Sequence, residues 1–200
     1  MDNNYDQEIY NIAVQEGFTP VVAKLIVAQA RLESANYSSN VFKCNNNMYG
    51  MKYVGQPLAV RGTLAPSSEV SKNCKAVGDG CNRIGSGDCN NGDFYAKYTS
   101  ATDSAKDTIE RLYKKTRNGI GFNEINSSTD STSFANNLKA RGYFEITADK
   151  YAKNLNSQLF KIKILQFYKE NKKVINYGVI GGVIIAISAY VYFLKMKKIV

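Results

Sequence analysis

One uncharged stretch, VINYGVIGGVIIAISAYVYFL at residues 174–194, constrains most strongly what this chain can fold into. As an α-helix rising about 1.5 Å per residue it would span roughly 31 Å, which matches the ~30 Å hydrocarbon core of a bilayer. Lysines flank it on both sides: Lys172, Lys173, Lys195, Lys197 and Lys198. The pattern predicts one transmembrane helix at residues 174–194, followed by a basic tail at residues 195–200.

The formal charge of +9 is concentrated around that stretch. Residues 1–171 contain 21 of the 26 Lys and Arg and all 17 Asp and Glu, so 21 − 17 leaves them a charge of only +4. The excess therefore indicates a membrane protein and not a nucleic-acid-binding protein. A mildly basic domain still suits an anionic polymer such as the bacterial cell wall.

The chain contains no His, which excludes a His-based catalytic triad and His-ligated metals. Acid–base chemistry must then rest on carboxylates, Tyr, Lys or Cys. The sequence GDGCNRIGSGD at residues 78–88 matches neither a phosphate-binding loop nor a calcium-binding loop. We therefore expect no metal and no cofactor.

Helical periodicity and turn-rich segments alternate before the apolar stretch. Thr19 and Pro20 are typical of a helix start, and apolar residues then recur at helical spacing as far as Glu33. Further helices are expected at residues 4–16, 102–116, 131–140 and from 148 onward. Short strands are expected in PLAVRGTL and DFYAKYTS, which border a Gly/Asn/Asp-rich insertion. The prediction is a mainly helical α+β domain with a small irregular β/loop insertion.

The four cysteines, Cys44, Cys74, Cys81 and Cys89, lack the short spacing of zinc-ligand pairs. An even number in a loop-rich, envelope-facing domain favours disulfides, with free thiols and a four-cysteine metal site as alternatives. The sequence does not predict how they pair.

Glu33 lies where a charge is least expected. At about 100° per residue it is only about 20° around the helix from Val22 and from Ile26, so it continues the apolar stripe. Partial burial and the negative end of the helix dipole should both raise its pKa, as a general acid requires. The alternative is a structural glutamate paired with a nearby Lys or Arg.

The sequence around Glu33 is similar to a known family. QARLES at residues 29–34, followed by NNMYGMK at 46–52, resembles the glucosaminidase-type peptidoglycan hydrolases, which have a lysozyme-like fold and include bacterial autolysins. FYAKYTSATDS at 94–104 and FANNLKARGYFEITADKYAKNL at 134–155 resemble later segments of that family, in the same order. FEITADK at 144–150 departs from the family pattern.

The resemblance implies cleavage of β-1,4 glycosidic bonds in peptidoglycan, with Glu33 protonating the leaving oxygen. It also implies a cleft floor formed by the turn Asn46, Asn47, Tyr49 and Gly50. Tyr98, Tyr143 and Tyr151 match family aromatic positions that would line the saccharide groove or orient water. For each tyrosine, core packing is the alternative.

A second acid is expected in the insertion if the enzyme uses a base or a nucleophile. Glu69 is our prediction for it, with Asp79, Asp88 and Asp93 as alternatives. Without a second acid, attack by a hydroxyl of the sugar itself would give a 1,6-anhydro product, the reaction of a lytic transglycosylase.

The predicted organisation is a lysozyme-like catalytic domain at residues 1–158, a helical stalk at 159–173, and the anchor. Predicted partners are peptidoglycan glycan strands and a lipid membrane, with virion or other membrane proteins as further candidates. A non-catalytic, glycan-binding virion protein is the alternative from another class.

The expected location follows from the two ends of the chain. The acidic N-terminus lacks the apolar core of a signal peptide, and five lysines precede the anchor against three after it. We interpret this as a domain left on the cytoplasmic face at synthesis. Our hypothesis is a protein of the internal membrane of a bacteriophage virion, with the catalytic domain facing outward from that membrane.

Overall fold

The computed structural model describes residues 5–64 and 94–176, with side chains to residue 163. Its described part is a mainly helical α+β arrangement, as the sequence predicts. The helices are α1 Tyr5–Gln15, α2 Pro20–Glu33, α3 Asn40–Asn45, α4 Ala101–Thr108, α5 Phe122–Asn126, α6 Ser131–Ala140 and α7 Ala148–Asn176. The strands are β1 Ala59–Leu64 and β2 Phe94–Tyr98, and a π-helical segment, Ile109–Lys114, continues α4.

Helix α2 forms the centre of the core. Thr19 caps it by accepting a hydrogen bond from the backbone N–H of Val22 at 3.3 Å, and Pro20 occupies the first turn. Its apolar residues from Val22 to Ala30 are buried, and α1 packs against it. Glu33 is its last residue, so the core-facing stripe of α2 ends in a carboxyl group.

The two predicted strands form an antiparallel pair in which Ala59 lies opposite Tyr98 and Arg61 opposite Ala96. The register shifts between Arg61 and Leu64. Gly62 lies in that irregular stretch, where an added Cβ would come within 2.7 Å of the Tyr95 carbonyl oxygen. A side chain there would push β1 away from β2, so the close pairing requires glycine.

Cys44, in α3, is disulfide-bonded, which confirms the predicted disulfide chemistry for this cysteine. Cys74, Cys81 and Cys89 lie outside the described residues, and the pairing therefore stays open.

The chain divides into two compact units, Met1–Leu159 and Phe160–Val200. Among residues 5–64 and 94–176, no helix is long and apolar enough to cross a bilayer. The predicted anchor at residues 174–194 lies outside this range from residue 177 onward, and the basic tail lies wholly outside it. Both stay predictions, as do the stalk at 159–173 and the boundary at residue 158.

Directly after α2 the backbone adopts a run of left-handed conformations. Ala35, Asn36 and Tyr37 have φ of 52°, 56° and 62°. Each costs about 1–2 kcal/mol for a residue with a Cβ, least for Asn. The Ser34 hydroxyl holds the turn by donating to the Ala30 carbonyl at 2.6 Å and accepting from the Tyr37 N–H at 2.8 Å.

Long-range contacts hold the same turn in place. The Tyr37 hydroxyl donates to Asp6 at 2.8 Å, and the Arg31 guanidinium binds the same carboxylate through two nitrogens at 2.6–3.0 Å. Contacts with α1 therefore stabilise the strained turn, and this turn follows Glu33 almost directly in the chain.

Replacing Ala35 with Gly should relieve part of this strain. Ala35 is exposed, so no packing is lost, and the free energy of unfolding should rise by about 0.5–1 kcal/mol after the entropy cost of Gly in the unfolded chain. Ala140→Gly, at an exposed position in right-handed α6, is the matched control and should lower it. Urea unfolding measures both, and destabilisation by Ala35→Gly would refute stored strain at this turn.

Candidate active site

An open cleft of about 690 Å³ lies at the C-terminal end of α2. Its walls come from the end of α2, the loop after α3, β2, the π-helical segment and the loop after α6. The side chains around it include Glu33, Tyr49, Met51, Tyr95, Leu112, Tyr143 and Phe144, together with the backbone of Gly50. A ligand with apolar and polar faces would fit a cleft of this composition.

The Glu33 carboxyl group is partly buried at this cleft. The Tyr151 hydroxyl donates a hydrogen bond to its Oε1 at 2.7 Å, and Tyr143 provides a second hydrogen bond. Burial raises the pKa of Glu33, and the two hydrogen bonds only partly oppose this by favouring the ionised form. Of the described residues lining the cleft, Glu33 is the only carboxylic acid.

Two more tyrosines lie close to Glu33. The buried Tyr49 hydroxyl donates to the Ile26 carbonyl at 3.4 Å, about two helical turns before Glu33. The Tyr113 hydroxyl donates to the buried Gln29 side chain at 2.7 Å. Burial raises the pKa of Tyr49, Tyr113, Tyr143 and Tyr151 above that of an ordinary phenol, and the nearby Glu33 charge adds to this. All four therefore keep their protons and act as hydrogen-bond donors.

The wall beside Glu33 is aromatic because of how α6 ends. Gly142 takes a left-handed φ of 75°, and the Tyr143 N–H donates back to the Leu138 carbonyl at 3.0 Å, which closes the helix and turns the chain. Tyr143 and Phe144 then line the cleft. Tyr151, on α7, stacks on Phe144 with ring centroids 4.1 Å apart.

The predicted floor divides into lining residues and supporting residues. Tyr49 and Gly50 line the cleft, and Gly50 has a φ of 64° that a side chain would strain. Asn46 instead donates to the backbone carbonyls of Tyr98 and Thr99 at 3.0 and 3.2 Å. Asn47 is buried, and its amide binds the backbone of Met51 and Ala96 at 2.8–2.9 Å. Both asparagines fix the loop against β2 and do not line the cleft.

Tyr98 lies apart from Glu33. Its ring is 2% exposed, and its hydroxyl donates to the buried Asp107 at 2.7 Å. This matches the core-packing alternative. The structure thus brings together Glu33, Tyr49, Gly50, Tyr143 and Tyr151, while Glu69, Asp79, Asp88 and Asp93 lie outside the described residues.

Sequence reasoning missed Phe144 and the basic side chains of the cleft. Phe144 belongs to the segment that departs from the family pattern, so no motif marks it. Arg111, Arg117 and Arg141 also line the cleft, as does Lys52. Arg111 and Arg117 lie outside every matched segment, Arg141 stands beside the matched Gly142 in the segment 134–155, and the spacing of the three gives no signal that they meet. Within the described ranges, no cluster of three or more His, Cys, Asp or Glu side chains could hold a metal ion.

The family profile for glucosaminidase, described as mannosyl-glycoprotein endo-beta-N-acetylglucosaminidase, matches residues 7–163. No curated protein sequence matches the chain. A chain from a type VI secretion system effector–immunity complex of Pseudomonas protegens is similar in fold, with a TM-score of 0.50 and 19% identity over 78% of this chain and 86% of that one. The catalytic domain of the autolysin Auto from Listeria monocytogenes aligns with a TM-score of 0.49 and 22% identity, over 82% of this chain and 84% of that one.

Replacing Tyr151 with Phe removes a hydroxyl that donates to Glu33. Because this hydrogen bond favours the ionised carboxyl group, the pKa of Glu33 should rise further, so that the group stays protonated to a higher pH. An NMR titration of the labelled Glu33 carboxyl carbon measures the change. Tyr98→Phe is the matched control, since it removes a hydroxyl bound to Asp107 outside the cleft, and it should leave the pKa of Glu33 unchanged. A Glu33 pKa that stays constant or falls in Tyr151→Phe would contradict the role assigned to this hydroxyl.

Proposed function

The chain belongs to the glucosaminidase family, and from this premise we propose that it is a glycosidase that cleaves β-1,4 bonds of bacterial peptidoglycan with Glu33 as general acid. The observation that carries the proposal is the Glu33 carboxyl group, half-buried in the open cleft with a raised pKa. A carboxyl group that keeps its proton near neutral pH can protonate the glycosidic oxygen as the bond breaks.

The tyrosines support both halves of that step. Before proton transfer, burial favours the neutral carboxyl group. After transfer, the hydroxyls of Tyr151 and Tyr143 donate to the new carboxylate and stabilise it. Their raised pKa values keep them protonated, so they remain donors throughout. Tyr143 and Phe144 also offer apolar ring surface against which a sugar ring can pack.

The group that attacks the sugar decides the reaction subtype. If Glu69 is the second acid, as the sequence predicts, it can activate water or act as the nucleophile. A lytic transglycosylase reaction is the second candidate, because Glu33 is the only carboxylic acid among the described residues that line the cleft. In that reaction Glu33 gives its proton to the leaving oxygen and then accepts one from the 6-hydroxyl of the same sugar, which closes the 1,6-anhydro ring.

Glu33→Gln keeps the shape of the side chain and removes its proton donor. Release of muropeptides from purified cell walls should fall by about 10³-fold. Glu145→Gln is the matched control, because this carboxylate is exposed and does not line the cleft, and it should keep full activity. Mass spectrometry of the parent's products separates reducing ends from anhydro ends and so distinguishes hydrolysis from transglycosylation. Unchanged muropeptide release in Glu33→Gln would refute Glu33 as the general acid, whereas no release by the parent would favour a non-catalytic, glycan-binding protein.

The free energy of unfolding of Glu33→Gln, measured against pH, tests whether this variant is still folded. Since the pKa of Glu33 is raised in the folded state, its ionised form destabilises the fold above that pKa, and the penalty disappears below the unfolded pKa of about 4.3. Glu33→Gln should therefore be at least as stable as the parent at pH 7, and the difference should shrink as the pH falls toward 4. Lost activity in a stable variant then reports on chemistry and not on unfolding.

We further propose that residues 174–194 anchor the enzyme in a membrane, and that this is the internal membrane of a bacteriophage virion, from which the domain opens the cell wall during infection or lysis. The support is the sequence alone: an uncharged 21-residue stretch with lysines on both sides, and more lysines before it than after it.

The full chain should sediment with membranes after a carbonate wash, whereas a chain ending at residue 171 should stay in the supernatant. Equal sedimentation of the two forms would refute the anchor. Finding the protein in uninfected bacteria as part of ordinary wall turnover would refute the phage role and leave the anchor intact.

A further inference from the structure

The described part of the cleft is strongly unbalanced in charge. Arg111, Arg117 and Arg141 line it together with Lys52, against the single carboxyl group of Glu33. Among the described residues, no carboxylate lies within 4.0 Å of a guanidinium nitrogen of these three arginines. Arg31, which lies outside the cleft, is instead paired with the carboxylate of Asp6.

Arg141 is almost completely buried behind this wall. Its guanidinium donates to the backbone carbonyl of Lys115 at 2.6 Å, to that of Ile120, and to that of Arg111 at 3.4 Å. Burial lowers the pKa of Arg141, and the positive charge of Arg117 lowers it further. The guanidinium groups of Arg117 and Arg141 therefore repel each other electrostatically. Arg141 is therefore bound to the backbone through its two terminal nitrogens, its Nε has no hydrogen-bond partner among the described residues, and it adds a fixed positive charge to the cleft.

Arg111 and Arg117 have donors to spare. Arg111 lies on the π-helical segment, and its Nε is buried with no hydrogen-bond partner among the described residues. Arg117 is exposed on a tight turn whose backbone is fixed by reciprocal hydrogen bonds with Ile120 at 2.9 and 3.0 Å. A buried donor without a partner and like charges held together both cost folding free energy, and an anion in the cleft would offset both.

We propose that Arg111 and Arg117 bind a carboxylate group of the substrate, so that the cleft selects anionic glycan over neutral glycan. A planar guanidinium matches the geometry of a carboxylate and can bind both of its oxygens. The inference rests on the proposed function, because it names which feature of a peptidoglycan strand the same cleft recognises. Polymers of N-acetylglucosamine alone carry no carboxylate and would lack this contact.

Two parts of a peptidoglycan strand can supply the carboxylate. One is the lactyl group of muramic acid, which is ionised when no peptide is attached and is an uncharged amide when one is. The other is the stem peptide itself. Three oligosaccharides of equal length separate these sources: a neutral N-acetylglucosamine oligomer, an alternating glycan stripped of peptides, and the same glycan with peptides attached.

The test is a calorimetric titration of the full-length Glu33→Gln protein with each oligosaccharide, so that binding is measured without turnover. At least one anionic oligosaccharide should bind about tenfold or more tightly than the neutral one, with a preference that weakens as salt increases. Tightest binding of the stripped glycan identifies the lactyl carboxylate, and tightest binding of the peptide-bearing glycan identifies the stem.

Adding Arg117→Gln or Arg111→Gln to the same protein should remove most of this preference by weakening the anionic complex, with the neutral complex unchanged. Arg117 is on an exposed turn, so its replacement tests the inference without disturbing the core. Arg61→Gln, which removes the same charge from β1 outside the cleft, is the matched control and should keep the preference.

Equal affinity for all three oligosaccharides, or an equal loss for neutral and anionic ligands in Arg117→Gln, would overturn the inference. Neither result depends on catalysis. Failure of the parent protein to cleave any of the three would instead refute the proposed glycosidase activity, whichever oligosaccharide binds best.

Discussion

Burial of one carboxyl group at the end of a core helix is the constraint on which the site depends. Buried apolar residues run along α2 from Val22 to Ala30, and Glu33 continues the same stripe one turn later, where the core opens into the cleft. In water this group would be ionised at neutral pH. Its partial burial makes ionisation costly and raises its pKa, so the free energy gained by packing α2 also offsets the cost of holding this carboxyl group partly out of water.

Contacts on both sides of Glu33 hold its partly buried carboxyl group in position. The left-handed run from Ala35 to Tyr37 turns the chain away as soon as α2 ends, and the Asp6–Arg31–Tyr37 contacts hold it there. On the other side, Tyr151 and Tyr143 bind the carboxyl group. Strain in the backbone and a carboxyl group out of water both reduce stability, and both lie at the position where the proposed chemistry takes place.

The charges of the cleft fit the same picture. Glu33 is the single carboxyl group among the described residues that line the cleft, so three arginines leave the described wall positive. The π-helical segment contributes to this arrangement, because it sends Arg111 and Leu112 toward the cleft while Tyr113 points into the core at Gln29. One irregular turn thus supplies a positive group to the cleft and a hydrogen bond to the helix that ends in Glu33.

Sequence patterns did not predict the features of the site that depend on contacts between residues far apart in the chain. Some residues at the family's motif positions line the cleft and others belong to the core. Tyr143 lines the cleft, whereas Tyr98 is a core residue bound to Asp107. Both are tyrosines at motif positions, and nothing local distinguishes them. Asn46 and Asn47 likewise fix a loop to β2 through contacts with residues about fifty positions away.

Local sequence patterns were enough to predict the start of α2 at Thr19 and Pro20, the two strands, and the position of Glu33 on the apolar stripe. These depend on caps and periodicity, which act within a few residues. Which side chains meet Glu33 became visible in the folded chain alone, because Tyr151 is 118 residues away along the sequence. The folded chain also shows that Arg111, Arg117 and Arg141 share one wall, since a π-helical turn and two loops bring them together and no local pattern encodes that meeting.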